Sequence, residues 1–170
     1  DSDFSSFLRS LQHADSFFPS GTVAVSAGLE ALCDEGVVSS SDSIERFVYG
    51  QLRCRWATMD RPFVTHAAKA RADLDVLTAI DRQIELQSLA KESREGSKRS
   101  GRALLQVHIK LGTDGVERYQ ERISLGQAIG HNPVVQGLVW TGVGIRQGQI
   151  ELISAHTFCV GILGAALRLG

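Results

Sequence analysis

The sequence LQHADSFFPSGTVAVSAGLE, residues 11–30, has the pattern of two helices separated by a turn. Leu8 and Leu11 are at helical spacing, which predicts a first helix from about Phe4 to Ala14. Pro19 cannot continue that helix, because its ring fixes φ and its nitrogen has no hydrogen to donate. The stretch therefore predicts a helix–turn–helix junction near the start of the chain.

A second helix is expected to begin after Ser20, which is a favourable N-cap, and to end at Gly36 in a left-handed cap. Its shared face would consist of Val23, Ala27, Glu30 and Ala31. Ser26 and Gly28 would then lie inside the helix, where glycine costs about 1 kcal/mol relative to alanine. This cost predicts that another backbone approaches Gly28 closely.

The rest of the chain repeats helical periodicity and has no sustained alternation of apolar and polar residues. One apolar stripe contains Ile44, Phe47, Val48, Leu52 and Trp56, and further stripes contain Phe63, Ala67 and Ala70, then Leu77, Ile80 and Ile84, then Leu104, Val107 and Leu111. Asp42 with Glu45 resembles a capping box, and Asn132 followed by Pro133 is a helix start signal, as is Pro62. We predict an all-α fold, a single compact bundle of about eight helices forming one domain over residues 1–170.

The composition is that of a globular protein of ordinary charge. The 170 residues are 43% apolar and 22% charged with a net charge of −1, so nothing predicts a nucleic-acid or anionic-membrane partner. Three cysteines without a C-x-x-C pair favour a reducing cytosol over a disulfide framework. The apolar run at about residues 157–167 is too short to span a bilayer.

Three separated motifs resemble the urease accessory protein UreF family. The first resembles its N-terminal signature, with departures at Thr22 and Val23, and comprises Asp15, Ser16, Pro19, Gly21, Ser26, Gly28, Leu29 and Glu30. The second resembles E-x-R-x-x-S-x-x-x-G-R-x-L-L and comprises Glu92, Arg94, Ser97, Gly101, Arg102, Leu104 and Leu105. The third resembles H-x-P-V-V-x-G and comprises His131, Pro133, Val134, Val135 and Gly137. Residues 165–170 are similar to the start of a family A-A-x-R-L-x-P-L-G-Q stretch, and we expect its remaining tail to be missing here.

This resemblance implies a cytoplasmic, non-catalytic adaptor or chaperone without a cofactor. It would link apo-urease bound to UreD (also called UreH) to the GTPase UreG, couple GTP hydrolysis to nickel insertion, and form a homodimer. No nucleic-acid or membrane partner is implied. The candidate partner-interface residues are the motif positions Asp15, Ser16, Pro19, Gly21, Ser26, Gly28, Glu30, Arg94, Ser97, Gly101, His131, Pro133 and Gly137, together with His156 and Arg168.

The sequence gives little indication of a catalytic, metal-binding or nucleotide-binding site. The five histidines are scattered and no G-x-x-x-x-G-K-[ST] occurs, so we expect neither a catalytic nor a metal site and no GTP hydrolysis by this chain. The basic cluster of Arg94, Lys98, Arg99 and Arg102 favours a solvated helix face over a partner-binding patch. Two alternatives remain open: an unrelated helical interaction module, and a small all-α enzyme with an unrecognised polar site.

Overall fold

A computed structural model describes residues 2–18 and 26–170, and the described part is helical without a strand. The helices are α1 (Ser2–Ala14), α2 (Leu29–Asp34), α3 (Ser41–Gln51), a π-helical segment (Leu52–Asp60), α4 (Arg61–Ala70), α5 (Leu74–Gln87), α6 (Lys91–Lys110), α7 (Val116–Ser124), α8 (Asn132–Gly142) and α9 (Gln147–Leu169). The predicted all-α fold of about eight helices is confirmed. The assignment of residues 1–170 to one domain stays a prediction.

The helix–turn–helix at residues 11–30 differs from its prediction. The helix α1 matches the expected one, but α2 begins only at Leu29, so Gly28 precedes the helix instead of lying inside it. Gly28 has φ +90°, and a Cβ there would meet nothing within 4 Å. The expected close packing at Gly28 is therefore wrong, and a left-handed backbone is the reason for glycine. The predicted left-handed Gly36 is confirmed at φ +71°, whereas Pro19, Gly21 and the proposed Ser20 cap lie outside the described residues.

A continuous helical path runs from α3 through the π-helical segment into α4. Asp60 and Arg61 keep right-handed helical angles, and Pro62 lies in the first turn of α4, where it was predicted to mark a helix start. The N–H of Arg61 donates to the carbonyl of Trp56, five residues earlier, and Pro62 has no N–H to donate. The wider π register thus accommodates a proline within a helical run.

The starts of two helices, α3 and α8, also differ from the sequence-based prediction. The capping box of α3 consists of Ser40 and Ser43, and the predicted pair of Asp42 and Glu45 is wrong. The N-cap of α8 is His131, so Asn132 is the first helical residue. Pro133 lies in the first turn as expected, where its missing N–H leaves no helical hydrogen bond unmade.

Two apolar clusters hold the helices together. The larger lies where α8 packs between α4 and α6, with Val64, Leu105 and Val135 fully buried. The smaller cluster comprises Leu29, Val38, Ile162 and Ala166, and the predicted stripe of α3 is only half-buried against it. The core is therefore centred on α8. A cluster of polar side chains lies at the N-terminal end of that helix.

The helix α9 is longer than the apolar run read from the sequence. It has 23 residues and a mean hydropathy of 1.7, enough by length and composition to cross a membrane, a test that core helices of water-soluble proteins also pass. It packs against α1, α2, α3, α4 and α8, and Glu151 pairs with Arg61 at 2.9 Å. These contacts make α9 part of the helical bundle.

Candidate functional site

A polar junction forms where the loop before α8 meets α5 and α6. Its centre is Asp81, which is fully buried on the inner side of α5. One oxygen, Oδ2, accepts from the N–H groups of Ile129 at 2.6 Å and Gly130 at 2.7 Å and from the Tyr119 hydroxyl at 2.8 Å. The other, Oδ1, accepts from the N–H of His131 at 2.9 Å. Four donors around one buried carboxylate fix the loop that leads into α8.

The imidazole of His131 extends this junction toward α6. Its Nε2 lies 2.8 Å from Glu85 Oε2, and its Nδ1 lies 3.1 Å from Ser97 Oγ, which also accepts from the N–H of Asn132 at 3.1 Å. Since the Ser97 oxygen accepts from Asn132, its hydroxyl hydrogen is free to donate to Nδ1, leaving Nε2–H to donate to Glu85. Burial lowers the pKa of His131, although the charges of Asp81 and Glu85 raise it. The imidazole is thus neutral, and its contact with Glu85 is a hydrogen bond.

Glu85 is also the point where the basic side chains of α6 converge. Lys98 Nζ lies 3.2 Å and Arg94 Nε 3.7 Å from Glu85 Oε1. Burial raises the pKa of Glu85, but hydrogen bonds from His131 and Lys98 outweigh it, so the pKa is lowered. Glu85 therefore remains a carboxylate over the physiological range.

The basic cluster does not form one solvated face. Arg94 donates to the carbonyl of Leu89 at 2.9 Å, and Arg102 donates to the carbonyl of Ile129 at 3.1 Å. Arg99 alone of the four is exposed without a hydrogen bond or ion pair among the described residues. Three of the four basic side chains thus hold the junction together.

Two motif glycines allow backbones to touch. A Cβ at Gly101 of α6 would overlap the carbonyl oxygen of Gly130 and lie 2.9 Å from the nitrogen of Asn132. A Cβ at Gly137 of α8 would lie 2.6 Å from the Cβ of Ala67 and 2.8 Å from the carbonyl oxygen of Val64. Only glycine fits either position, so the second and third motifs specify how α8 packs between α6 and α4.

A cavity of about 90 Å³ with several polar side chains in its wall opens beside the junction. Its wall includes Trp56, Asp60, Ser100, Asn132 and Ser154, and also Ser97 and Pro133 of the motifs. Buried oxygen atoms of Asp60, Ser100 and Asn132 have no hydrogen-bond partner in the described structure. Burial raises the pKa of Asp60 to about 6, against the attraction of Arg55 at 3.8 Å. The cavity has room for several water molecules that would satisfy these atoms.

The other histidines are dispersed. His13 and His108 are buried and stack with ring centroids 5.3 Å apart, and burial lowers the pKa of both, that of His108 to about 4. His66 and His156 are exposed. Among the described residues, no group of three or more His, Cys, Asp or Glu side chains is arranged to hold a metal ion.

Of the candidate interface residues that the structure describes, five come together and the others lie apart, while Pro19 and Gly21 lie outside the described residues. Arg94, Ser97, Gly101, His131 and Pro133 meet at the junction, and Gly137 lies one helix face away. The candidates that remain on the surface are Asp15, Ser16, Gly28, Glu30, His156 and Arg168, with Ser26 half-buried. The role of each as a partner contact stays a prediction.

Sequence reasoning missed Asp81, Glu85 and Tyr119. Asp81 follows Leu77 by four residues and so lies on the buried stripe of α5, where a carboxylate requires partners. Helical spacing could therefore have identified Asp81 as a buried carboxylate. No local pattern identifies Glu85 or Tyr119, because their partners come from distant parts of the chain.

Comparison with known proteins agrees with the motifs. Residues 38–170 match the UreF family model. The urease accessory protein UreF of Trichodesmium erythraeum is 33% identical over 99% of this chain and 74% of its own length. That of Actinobacillus pleuropneumoniae is 30% identical over 95% of this chain and 73% of its own length, and that of Haemophilus influenzae is 29% identical over 95% and 71%. No solved structure matches the chain significantly. The chain therefore belongs to the UreF family of urease accessory proteins.

Proposed function

We propose that this chain is a non-catalytic adaptor in urease maturation. It joins apo-urease bound to UreD (UreH) with the GTPase UreG and couples GTP hydrolysis to nickel insertion. It acts in the cytoplasm as a homodimer, holds no cofactor of its own, and binds neither nucleic acid nor membrane. The observation that carries this proposal is family membership across nearly the whole chain.

The geometry of the junction supports an adaptor over an enzyme. Its carboxylates, Asp81 and Glu85, are occupied by four and three partners, and its histidine is bonded at both nitrogens. Asp81 and His131 are also fully buried, so they position helices and do not face a substrate at the surface. An adaptor instead needs rigid surfaces whose affinity differs between the states of its partner.

The alternative of an unrelated helical interaction module has no observation in its favour. It shares the helical periodicity, but it does not account for relatives that align with 95% or more of the chain. Those relatives are named urease accessory proteins, and that name supports the partners proposed above.

Reconstitution tests the proposal. The tagged full chain is incubated with UreD, UreG and apo-urease, and the captured proteins are identified with and without GTP. We expect UreD and UreG to be retained together, and urease activity in nickel-supplemented cells to require the chain. Capture of neither protein, or GTP hydrolysis by the purified chain alone, would contradict the adaptor role.

A further inference from the structure

Two buried histidines connect the end of α1 to α6. The rings of His13 and His108 stack with their centroids 5.3 Å apart. The ring of Phe18, in the turn after α1, lies 4.4 Å from that of His13 and 6.1 Å from that of His108. His13 is 7% exposed, and His108 is fully buried. The histidine pair, with Phe18 beside it, therefore holds the last turn of α1 and the turn that follows it against α6.

Neither ring of the pair can accommodate a positive charge in place. His13 Nδ1 lies 2.8 Å from the carbonyl oxygen of Arg9, so Nδ1 carries the hydrogen and Nε2 is a bare acceptor. His108 Nδ1 lies 2.8 Å from the Thr113 hydroxyl. The Nε2 atoms of both histidines are buried and have no hydrogen-bond partner among the described residues. As a cation, each ring would therefore hold a buried Nε2–H without an acceptor, which is costly.

The surroundings supply no charge that would offset a cation. Helices α6, α8 and α9 line a cavity of about 150 Å³ beside His13 with uncharged side chains: Leu104, Gln136, Trp140, Thr157 and Val160. Among the described residues of this wall, the only other titratable side chain is that of Asp15, which is exposed and accepts from the N–H of Phe17 at 2.9 Å. Burial lowers the pKa of both histidines, and the nearby His13 adds to this for His108, whose pKa is about 4.

The remainder of α1 is attached to the bundle mainly by polar groups. Its buried inner side includes Ser6 and Ser10, whereas Phe7 on the outer side is half exposed. Arg9 Nη1 donates to the carbonyl of Val143 at 2.6 Å. Because α1 buries few large apolar side chains against its own bundle, its last turn depends on the histidine pair and is a segment that can open locally.

We propose that the histidine pair is an acid-sensitive contact, which releases the last turn of α1 and the turn at residues 15–18 from α6 in mild acid. In the open segment both imidazoles reach water, and each takes up a proton that the closed contact rejects. Opening is therefore favoured as pH falls below about 6.5, the pKa of an exposed imidazole. The stability that the contact contributes is present above that pH and is lost progressively below it.

The linkage sets the size of the effect. A group whose pKa is 6.5 in the open segment and about 4 in the closed one increases the opening constant about eightfold between pH 7.0 and pH 5.5. This is the contribution of His108, and the proton taken up by His13 adds to it. The turn that is released contains Asp15 and Ser16 of the first motif, so pH would alter how these two residues are presented. The inference does not rest on the proposed function.

Hydrogen exchange of the full chain tests the inference at pH 7.0 and pH 5.5, with rates corrected for the intrinsic pH dependence of exchange. The reporters are peptides covering residues 10–18, which include the N–H groups of Asp15 and Phe18, bonded to the carbonyls of Leu11 and Asp15. Their protection should fall at least about eightfold at pH 5.5. Peptides of α8 should keep their protection at both pH values.

Variants assign the effect to the histidine pair. His13→Leu/His108→Leu cannot take up protons at these positions and should show equal protection of residues 10–18 at the two pH values. His13→Leu alone keeps the bond between His108 and Thr113 and should show a smaller pH effect than wild type. His66→Leu is the matched control, because His66 Nδ1 also bonds a carbonyl four residues earlier, that of Pro62 at 2.6 Å, but the side chain is exposed. It should behave as wild type.

Three results would overturn the inference. The first is equal protection of residues 10–18 at both pH values in wild type. The second is a pH effect in the histidine variants as large as that in wild type, which would place the titrating group elsewhere. The third is a loss of protection in α8 together with residues 10–18, which would be global unfolding in acid and not a local release.

Discussion

Gly101 of α6 lies in backbone contact with Gly130, the residue before the His131 motif, and a Cβ at Gly101 would overlap the Gly130 carbonyl oxygen. Ser97, one helical turn earlier, bonds to both His131 and Asn132. Two motifs about thirty residues apart thus form a single packed junction. The family signature in this region specifies helix packing first, and any partner surface is built on that packing.

The backbone contact at Gly101 should make this position intolerant of any side chain. We expect Gly101→Ala to lower the free energy of unfolding by about 1–3 kcal/mol, because α6 and the loop before α8 must separate. Gly50→Ala is the control: Gly50 is also helical, but a Cβ there meets nothing within 4 Å. Urea unfolding of both variants measures the difference. Equal free energies of unfolding for the two variants would show that α6 and the loop before α8 can separate without a loss of stability.

Asp81 should be the most sensitive polar residue of the junction. Asp81→Ala leaves four donors without their acceptor, and we expect a loss of about 3 kcal/mol or more in the free energy of unfolding. Asp75, on the same helix, makes an exposed ion pair with Arg122 at 2.7 Å, and Asp75→Ala should cost under about 1 kcal/mol. Chemical denaturation compares the two. A small loss of stability in Asp81→Ala would mean that water accepts the four hydrogen bonds in place of the carboxylate.

The backbone conformation at Gly28, and not the volume of the new side chain, should decide how much a substitution destabilises the fold. Its φ of +90° is strained for any L residue and worst for a β-branched one, so Gly28→Val should lower the melting temperature more than Gly28→Asn. Gly148→Ala, in the first turn of α9 with open space around it, is the control for loss of a glycine. Thermal unfolding followed by circular dichroism ranks the variants, and an equal effect of Val and Asn would contradict the conformational explanation.

Asp60 should give stability a measurable pH dependence. Its pKa in the folded chain is raised to about 6, so between its ordinary value and 6 the folded state holds a proton that the unfolded state releases. The free energy of unfolding contributed by this group therefore falls as pH rises through that interval. Asp60→Asn cannot ionise, so its stability relative to wild type should increase from pH 4 to pH 7 by on the order of 2 kcal/mol.

Denaturation at several pH values measures this difference for Asp60→Asn against wild type. Asp34→Asn, at the exposed end of α2, is the matched control for replacing a carboxylate with an amide. A constant difference between Asp60→Asn and wild type would show that the carboxylate is solvated in the folded chain.

Arg168 should affect partner binding without affecting the fold. It is exposed in the last turn of α9, and its planar guanidinium can pair with a partner carboxylate through two hydrogen bonds. We expect Arg168→Ala to keep the wild-type melting temperature and to weaken recruitment of UreG to the complex with UreD. Arg99→Ala, an exposed arginine of α6, is the control in the same pull-down. Full recruitment by Arg168→Ala would place the interface elsewhere.

The sequence by itself determined the helical class, the position of α1, the cap at Gly36 and the membership of the family. These features are readable because periodicity near 3.6, left-handed glycine and fixed motif spacing are properties of neighbouring residues. It failed at Gly28, where a helical pattern continued across a residue that the structure places before the helix. Local spacing marked a helix there but did not locate its first turn.

Only the tertiary structure decided which helices meet and which side of each faces inward. The bond between His131 and Glu85, the four donors to Asp81 and the contact of Gly101 with Gly130 join segments about thirty to fifty residues apart. No local pattern encodes those pairings, because each depends on the packing of α8 between α4 and α6. For α1 the apolar periodicity identified a helix, but hydrogen bonds and an ion pair to distant residues turned its polar side toward the bundle.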